Sequence, residues 1–179
     1  MKLNARELRD VVEKDIIDKL KAIKRRPIYF ILENIYDTYN IGGLFRLADA
    51  LAIEKMYICG QSEIPPNSKI KKASIGTYKV VPWTYKKTAK EAINELRQNI
   101  KNVRIIAIEQ HPKAINFTEA VWNTPLALIL GNETSGVTEE TLKLADQITE
   151  IPMWGINRSL NVIVSAAIVS YHVASLTKS

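Results

Sequence analysis

The sequence predicts an α/β domain built on a mostly parallel sheet with helices on both faces, preceded by an extra N-terminal helix. Three observations carry this prediction. Val103–Ile108 and Leu126–Leu130 are β-branched or Leu-rich runs, the composition of strands buried on both faces of a parallel sheet. Such runs alternate with stretches of helical spacing, as strand–helix–strand units do. No internal repeat and no linker interrupts the 179 residues, a length that fits one domain with a sizeable core.

The first 24 residues read as an amphipathic helix, because Leu8, Val12, Ile16, Leu20 and Ile23 recur every three or four residues with charges between them. Arg25-Arg26-Pro27 ends it, since the residue before proline is pushed out of the α region. The chain therefore divides into a basic N-terminal helix, 1–26, and a single domain, 27–179. Ile28–Leu32 reads as a strand, Gly42–Leu51 as a helix and Lys55–Cys59 as a second strand. Gln61–Gly76 reads as irregular, with Pro65-Pro66 marking a loop, and Tyr78–Val81 as a third short strand. Thr88–Gln98 reads as a helix with Ala92, Ile93 and Leu96 inward. Thr138–Ala145 reads as a short helix capped by Thr138, with Glu139 and Glu140 in its first turn. Ile148–Ile151 is the last strand, and Ser159 to about Leu176 a long apolar helix whose Val162–Val173 stretch reads as fully buried.

Composition excludes several classes. With 46% hydrophobic and 25% charged residues, seven Gly and seven Pro, the chain is neither collagen-like, low-complexity nor mostly disordered. No apolar run reaches the roughly 18 residues of a membrane span, and MKLNARELRD has no apolar stretch of a secretory signal. The single Cys59 has no disulfide partner and reads as a small buried hydrophobe. One Cys with His111 and His172 is too few for a zinc cluster, so no metal is expected and both His read as bystanders. A reducing cytoplasm is the expected compartment.

The net charge of +6 is unevenly spread. Residues 1–26 carry nine Lys/Arg against five Asp/Glu, residues 69–104 ten against two, and the remainder six against twelve. Two positive blocks on an acidic body suit a polyanion, most often nucleic acid; a solvated, lysine-rich surface is the competing reading.

Ligands of open α/β sheets gather at the carboxyl ends of strands, and three stretches stand out there. The first, Glu33 to Arg46, places Asn34, Asp37 and Asn40 before a Gly42-Gly43 pair that reads as a tight loop. Arg46 is expected in the first turn or two of the following helix, where a cation opposes the macrodipole and wants an anionic partner; an ordinary capped turn with a surface Arg is the bland reading. The second, Gly131-Asn132-Glu133-Thr134-Ser135-Gly136-Val137, follows a buried strand. Gly131 would let a ligand approach the backbone, and Glu133 is a carboxylate where a capping Ser or Thr is usual. The third runs from Ile151 to Asn161, with Ser159 opening a helix as a plausible cap. Trp154 in that stretch would either stack on a cofactor or a base or form interface core, and core is expected. Neither a G-x-G-x-x-G nor a G-x-x-x-x-G-K-[ST] fingerprint occurs, and no G-x-S-x-G elbow. A dehydrogenase-like reading loses its main support.

Taken in this order, the three stretches resemble the signature motifs of the SpoU (TrmH-type) RNA 2′-O-ribose methyltransferases of the SPOUT superfamily. The first motif resembles Asn34-x-x-Asp37-x-x-Asn40-x-Gly42 followed by Arg46-x-Ala48-Asp49-Ala50. The second resembles Leu130-Gly131-Asn132-Glu133-x-x-Gly136-Val137, and the third Ile151-Pro152-Met153 followed by Ser159-Leu160-Asn161-Val162. The resemblance runs from about Ile28 to Leu176, and only the basic helix stands where many members carry a separate RNA-binding domain.

The resemblance implies a C-terminal trefoil knot, a homodimer with the active site completed across its interface, and a dimer interface containing the last helix. It implies S-adenosylmethionine bound near Ile108, Gly131, Ile151, Met153 and Leu160, and a catalytic group of Asn40, Arg46, Glu133, Ser159 and Asn161. The expected reaction is methyl transfer to a ribose 2′-hydroxyl of tRNA or rRNA. For such a family the Arg is usually named as base, but a guanidinium stays charged in proteins. Either Arg46 loses its proton transiently, or it remains a cation that grips phosphate and stabilises the developing alkoxide. Lys69, Lys71, Lys72, Lys79, Lys86, Lys87 and Lys90, with the N-terminal helix, would track the RNA backbone. A non-catalytic RNA-binding or ribosome-assembly factor on the same fold is the alternative; a changed Arg46, Glu133 or Asn161 would have favoured it, and all three stand.

Overall fold

The computed structural model describes residues 2–10 and 20–177. In chain order the elements are α1 (Ala5–Asp10), β1 (Arg26–Glu33), α2 (Thr38–Ala50), β2 (Ile53–Cys59) and α3 (Ser68–Ser74), then β3 (Trp83–Lys86), α4 (Ala89–Asn99), β4 (Arg104–Ile108) and β5 (Ile115–Asn116). They end with β6 (Leu126–Leu130), α5 (Glu139–Leu142), β7 (Gln147–Glu150) and α6 (Val162–Leu176). The seven strands form one sheet in the order β3-β2-β1-β6-β4-β7-β5, and every neighbouring pair is parallel.

The expected α/β architecture is therefore what forms, with helices on both faces. Side chains of β1 alternate between two cores, as the period of two in a strand requires. Ile28, Phe30 and Leu32 pack with Leu44, Phe45 and Ala48 of α2 and Ala166 and Val169 of α6. Tyr29 and Ile31 pack on the opposite side with Ala92, Ile93 and Leu96 of α4. The central strands β1, β4 and β6 lack the polar alternation of a half-exposed sheet because both their faces are covered. Cys59 is fully buried at the end of β2, and burial pushes its thiol up to about 12, which suits a packing residue.

Several local expectations change. Gln61–Gly76 is not wholly irregular: Asn67 caps α3, its side-chain oxygen accepting from the N–H groups of Lys69 and Ile70. Tyr78–Val81 is not a strand. A 3-10 turn occupies Thr77–Lys79 and the third strand begins at Trp83. Of the predicted N-terminal helix, Ala5–Asp10 is helical; Val12 and Ile16 lie outside the described residues. The Leu8 carbonyl sits against Gly76, and the Lys79 ammonium donates to the Arg9 carbonyl at 2.9 Å, so α1 lies on its own chain.

The Gly42-Gly43 pair is also not a turn. Asp37 caps α2, accepting from the Tyr39 N–H at 2.8 Å, so both glycines lie in the helix's second turn. A Cβ at Gly42 would overlap the Ala73 methyl of α3, and one at Gly43 the Ile163 side chain of α6. The pair lets two helices approach one. Gly42→Ala should therefore destabilise the fold by about 1–3 kcal/mol through overpacking, against the gain expected for Gly→Ala in an open helix. Urea unfolding measures it; an unchanged or raised midpoint would mean that α3 does not hold α2 closely.

Candidate active site

The carboxyl ends of β1, β4, β6 and β7 share one edge of the sheet, because all four run parallel. The loop leaving β6, residues 131–138, is fixed there by side chains from two of the other strand ends. Glu33, the last residue of β1, is buried and accepts from the Thr138 N–H at 2.9 Å and from the hydroxyls of Thr138 at 3.0 Å and Thr141 at 2.6 Å. Glu109, just past β4, accepts from the Val137 N–H at 2.8 Å. Asn132 donates from Nδ2 to the Asn34 carbonyl at 2.9 Å, and its Oδ1 accepts from the N–H groups of Thr134 and Ser135. Gly136 has φ of 67° and a Cβ there would strike the Glu109 carboxylate, so only glycine fits. Thr138 caps α5 as expected.

Asn40, in the first turn of α2, is buried and linked on both sides. Its Nδ2 donates to Glu133 Oε1, and its Oδ1 accepts from Asn161 Nδ2 at 3.0 Å. Asn161 is in turn the N-cap of α6, accepting from the Ile163 N–H at 2.9 Å. Three of the five expected catalytic residues thus form one chain of hydrogen bonds drawn from three separate motifs. Glu133 Oε2 has no hydrogen bond among the described residues.

Beside this chain lies a cleft of about 380 Å³. All five residues expected to hold the cofactor, Ile108, Gly131, Ile151, Met153 and Leu160, line it, and so do Glu133 and Ser159. Its volume and mixture of apolar walls with a few polar groups suit a small organic ligand. Glu109, Glu133 and Glu150 outnumber Arg158 among the charged residues of its lining, which complements a cationic one. These residues fit S-adenosylmethionine: apolar faces for adenine, loop backbone for its edge, acidic groups near a sulfonium. Among the described residues, no group of three or more His, Cys, Asp or Glu is placed to hold a metal ion.

Two expectations are corrected. Arg46 is not in the first turns of its helix: α2 begins at Thr38, so Arg46 is its ninth residue and the macrodipole argument does not apply. Arg46 is exposed, lies about 9 Å along the helix from Asn40, and has no hydrogen bond or ion pair among the described residues. Ser159 is not the cap of α6, which begins only after Asn161; the Ser159 N–H instead donates to Asn157 Oδ1 at 3.3 Å. The place a Cβ would take at Gly131 is filled by the backbone of Gly136 and Val137, so the loop itself needs this glycine, which also lines the cleft. Trp154 is 92% exposed, and residues 154–159 are left uncovered by the described residues.

The last helix is likewise only half covered. Val162, Ala166, Val169 and Val173 are buried, while Val164, Ile168 and Tyr171 form an exposed stripe at helical spacing. Neither histidine lines the cleft. His172 meets Phe117 and Trp122 edge to face, and His111 accepts from the Lys113 N–H at 3.1 Å. Glu33 and Glu109 went unassigned in the sequence. Their signal was a carboxylate closing each of two buried apolar runs.

A family model described as "SpoU rRNA Methylase family" matches residues 27–171. The chain belongs to this family. It is 30% identical over 149 residues to the tRNA (guanosine(18)-2′-O)-methyltransferase of Thermus thermophilus, covering 83% of this chain and 75% of that one. It is 27% identical over 161 residues to the 23S rRNA (guanosine-2′-O-)-methyltransferase RlmB of Haemophilus influenzae, covering 88% and 63%. The fold resembles that of an AdoMet-bound rRNA methyltransferase from Sinorhizobium meliloti, with a TM-score of 0.78 at 21% identity, covering 96% of this chain and 61% of that one. Across its curated relatives the chain spans about two thirds of their length, 69% and 66% for those of Borreliella burgdorferi and Escherichia coli.

Glu33→Ala removes the acceptor of three hydrogen bonds and should cost about 2–4 kcal/mol of stability. It should also weaken S-adenosylmethionine binding by loosening residues 131–138. Urea unfolding and calorimetry read the two effects; full cofactor affinity in the destabilised variant would show that Glu33 does not shape the cleft.

Proposed function

We propose that the chain is an S-adenosylmethionine-dependent methyltransferase acting on a ribose 2′-hydroxyl of tRNA or rRNA, working as a homodimer in the cytoplasm. The observation that carries this reading is the Asn161–Asn40–Glu133 hydrogen-bond chain beside a cleft lined by all five expected cofactor residues. Family membership and the AdoMet-bound structure of similar fold support it. The knotted C-terminal topology belongs to the same reading.

Bound in the cleft, S-adenosylmethionine supplies a methyl group on a sulfonium sulfur. The chain's residues hold the other reactant. Asn40 fixes one oxygen of Glu133, and the other is left to accept the hydrogen bond of the ribose 2′-hydroxyl and, as the methyl is transferred, its proton. Asn161 fixes Asn40 while capping α6, so the carboxylate is oriented from two elements at once. In-line transfer depends chiefly on such positioning. Arg46, one turn beyond the contact of Gly43 with Ile163, acts as a cation on the substrate phosphate and on the charge developing at the ribose oxygen. Because Arg46 is remote from Asn40 along α2, the site is completed by a second copy seated on the Val164, Ile168 and Tyr171 stripe.

The RNA face is narrower than the charge blocks imply. Lys69, Lys71, Lys72 and Lys87 are exposed, and their side chains are unpaired among the described residues. Lys79 is spent on the Arg9 carbonyl, Lys90 meets Glu140 at 3.8 Å, and Lys86 pairs with Glu95, whose carboxyl is held down at about 2 chiefly by that bond. The backbone path therefore runs along α3.

Calorimetric titration with S-adenosylmethionine, alone and with total tRNA, tests the reading. Saturable binding near one cofactor per subunit is expected; none in either condition overturns it. Arg46→Ala should lower kcat by roughly 100-fold or more with cofactor affinity within about twofold. A variant that keeps most of its turnover would remove Arg46 from the mechanism. Replacing Lys69, Lys71 and Lys72 by Gln should make the log–log salt dependence of RNA binding shallower by roughly 2; an unchanged slope would move the RNA path off α3.

A further inference from the structure

We propose that Tyr36 and Tyr39 form a stacking platform for the unstacked base of the nucleotide being methylated. The inference rests on the RNA-methyltransferase reading above and extends it to the substrate's base. The two rings flank the turn that delivers Asn40, the central member of the hydrogen-bond chain. They are 56% and 53% exposed, and among the described residues neither side chain has a hydrogen bond or a ring contact. Large rings left bare beside a buried catalytic residue are not accounted for by packing. They border an open groove of about 550 Å³ that also takes in Asp37, Glu63, Asn67 and Lys69.

Charge decides which part of an RNA enters this groove. Asp37 and Glu63 repel phosphate from it. Lys69 lines one side of it, and the exposed Lys71 and Lys72 follow on α3 and attract the backbone there. A neutral aromatic ring is what remains for the tyrosines. Proteins that act on single-stranded or looped RNA hold splayed bases on aromatic side chains in this way, and every base offers a face to stack on. Tyr39 directly precedes Asn40 on α2, so a base held there keeps its own ribose within a nucleotide's reach of Asn40 and Glu133. Asp37, whose side chain is committed to the Tyr39 N–H, fixes the turn between the two rings.

Four variants test the platform: Tyr36→Ala, Tyr36→Phe, Tyr39→Ala and Tyr39→Phe. Methyl transfer from radiolabelled S-adenosylmethionine to undermethylated total tRNA and rRNA gives KM and kcat, and calorimetry gives cofactor affinity. The Ala variants should raise KM for RNA on the order of tenfold, with cofactor affinity unchanged. The Phe variants should stay within about twofold of the parent, because stacking needs the ring and not the hydroxyl. Ala variants with unchanged KM and kcat would overturn the platform while leaving the methyltransferase reading intact. Phe variants as impaired as Ala would overturn it too, assigning the hydroxyls instead. A parent protein that binds no cofactor and methylates neither RNA pool would overturn the function, and this inference with it. Circular dichroism of each variant separates these outcomes from loss of fold, and an unfolded Ala variant leaves the Phe comparison and Tyr→Leu at the same position to decide.

Discussion

A buried carboxylate at the end of β1 is the constraint on which the rest of the site depends. An ionised side chain removed from water without partners is prohibitively costly. Glu33 has partners: one backbone N–H and two hydroxyls, all from residues 138–141. Those donors sit beyond the loop that follows β6, so satisfying Glu33 ties that loop to the end of a different strand. The next residue, Asn34, adopts φ of 55° and offers its carbonyl to Asn132 in the same loop. Three residues further on, Asp37 caps α2 and presents Asn40. One strand end therefore sets both the wall of the cleft and the residue that orients Glu133. The parallel arrangement makes this possible, because it gathers the carboxyl ends of β1, β4, β6 and β7 on one edge.

The helix α2 then carries the site's geometry outward. Its successive glycines accept α3 on one side and α6 on the other. Its first turn holds Asn40, which receives Asn161 from the start of α6. A helix with ordinary side chains at positions 42 and 43 would hold both neighbours further away, and the Asn161–Asn40 bond at 3.0 Å depends on α6 lying close. Close helix packing and the alignment of polar side chains are here the same requirement.

How much of this was legible follows from what each signal measures. The strand Leu126–Leu130 was readable to the residue, because a strand buried on both faces needs an unbroken apolar run and has one. Of the three motif loops only Gly131-Asn132-Glu133 is unusual by itself, since Asn/Gly turns and Ser or Asn caps are common, and the resemblance joins them; the structure brings Asn40, Glu133 and Asn161 together. The Gly42-Gly43 pair misled, since glycine permits a turn and a close helix contact equally well and sequence spacing does not separate them. The helix Ser68–Ser74 was hidden because only Ile70 and Ser74 face inward, too few to show a period of 3.6. Trp154 and the outer face of α6 were read as packed because their apolar character says that something covers them without saying whether it belongs to the same chain. Tertiary acceptors such as Glu33 left only a trace, since their donors lie some 105 residues away.

The distribution of charge sorts the two reactants before any chemistry occurs. Carboxylates at Glu109, Glu133 and Glu150 line the cleft, where a sulfonium is attracted and a phosphate repelled. Lys69, Lys71 and Lys72 lie unpaired on α3, and Lys69 lines the groove that Tyr36 and Tyr39 border. A polyanion drawn to those lysines is kept out of the acidic cleft by the same Coulomb term that draws the cofactor into it. What crosses between the two territories must be neutral, and a ribose hydroxyl is. The Asn40–Glu133 bond stands at that boundary, with its donor from the α2 side and its acceptor from the loop of the cleft. The hydroxyl that reaches it meets an oriented acceptor on one side and a cation-binding cleft on the other, which is the arrangement that transfer of a positively charged methyl donor's carbon to oxygen requires.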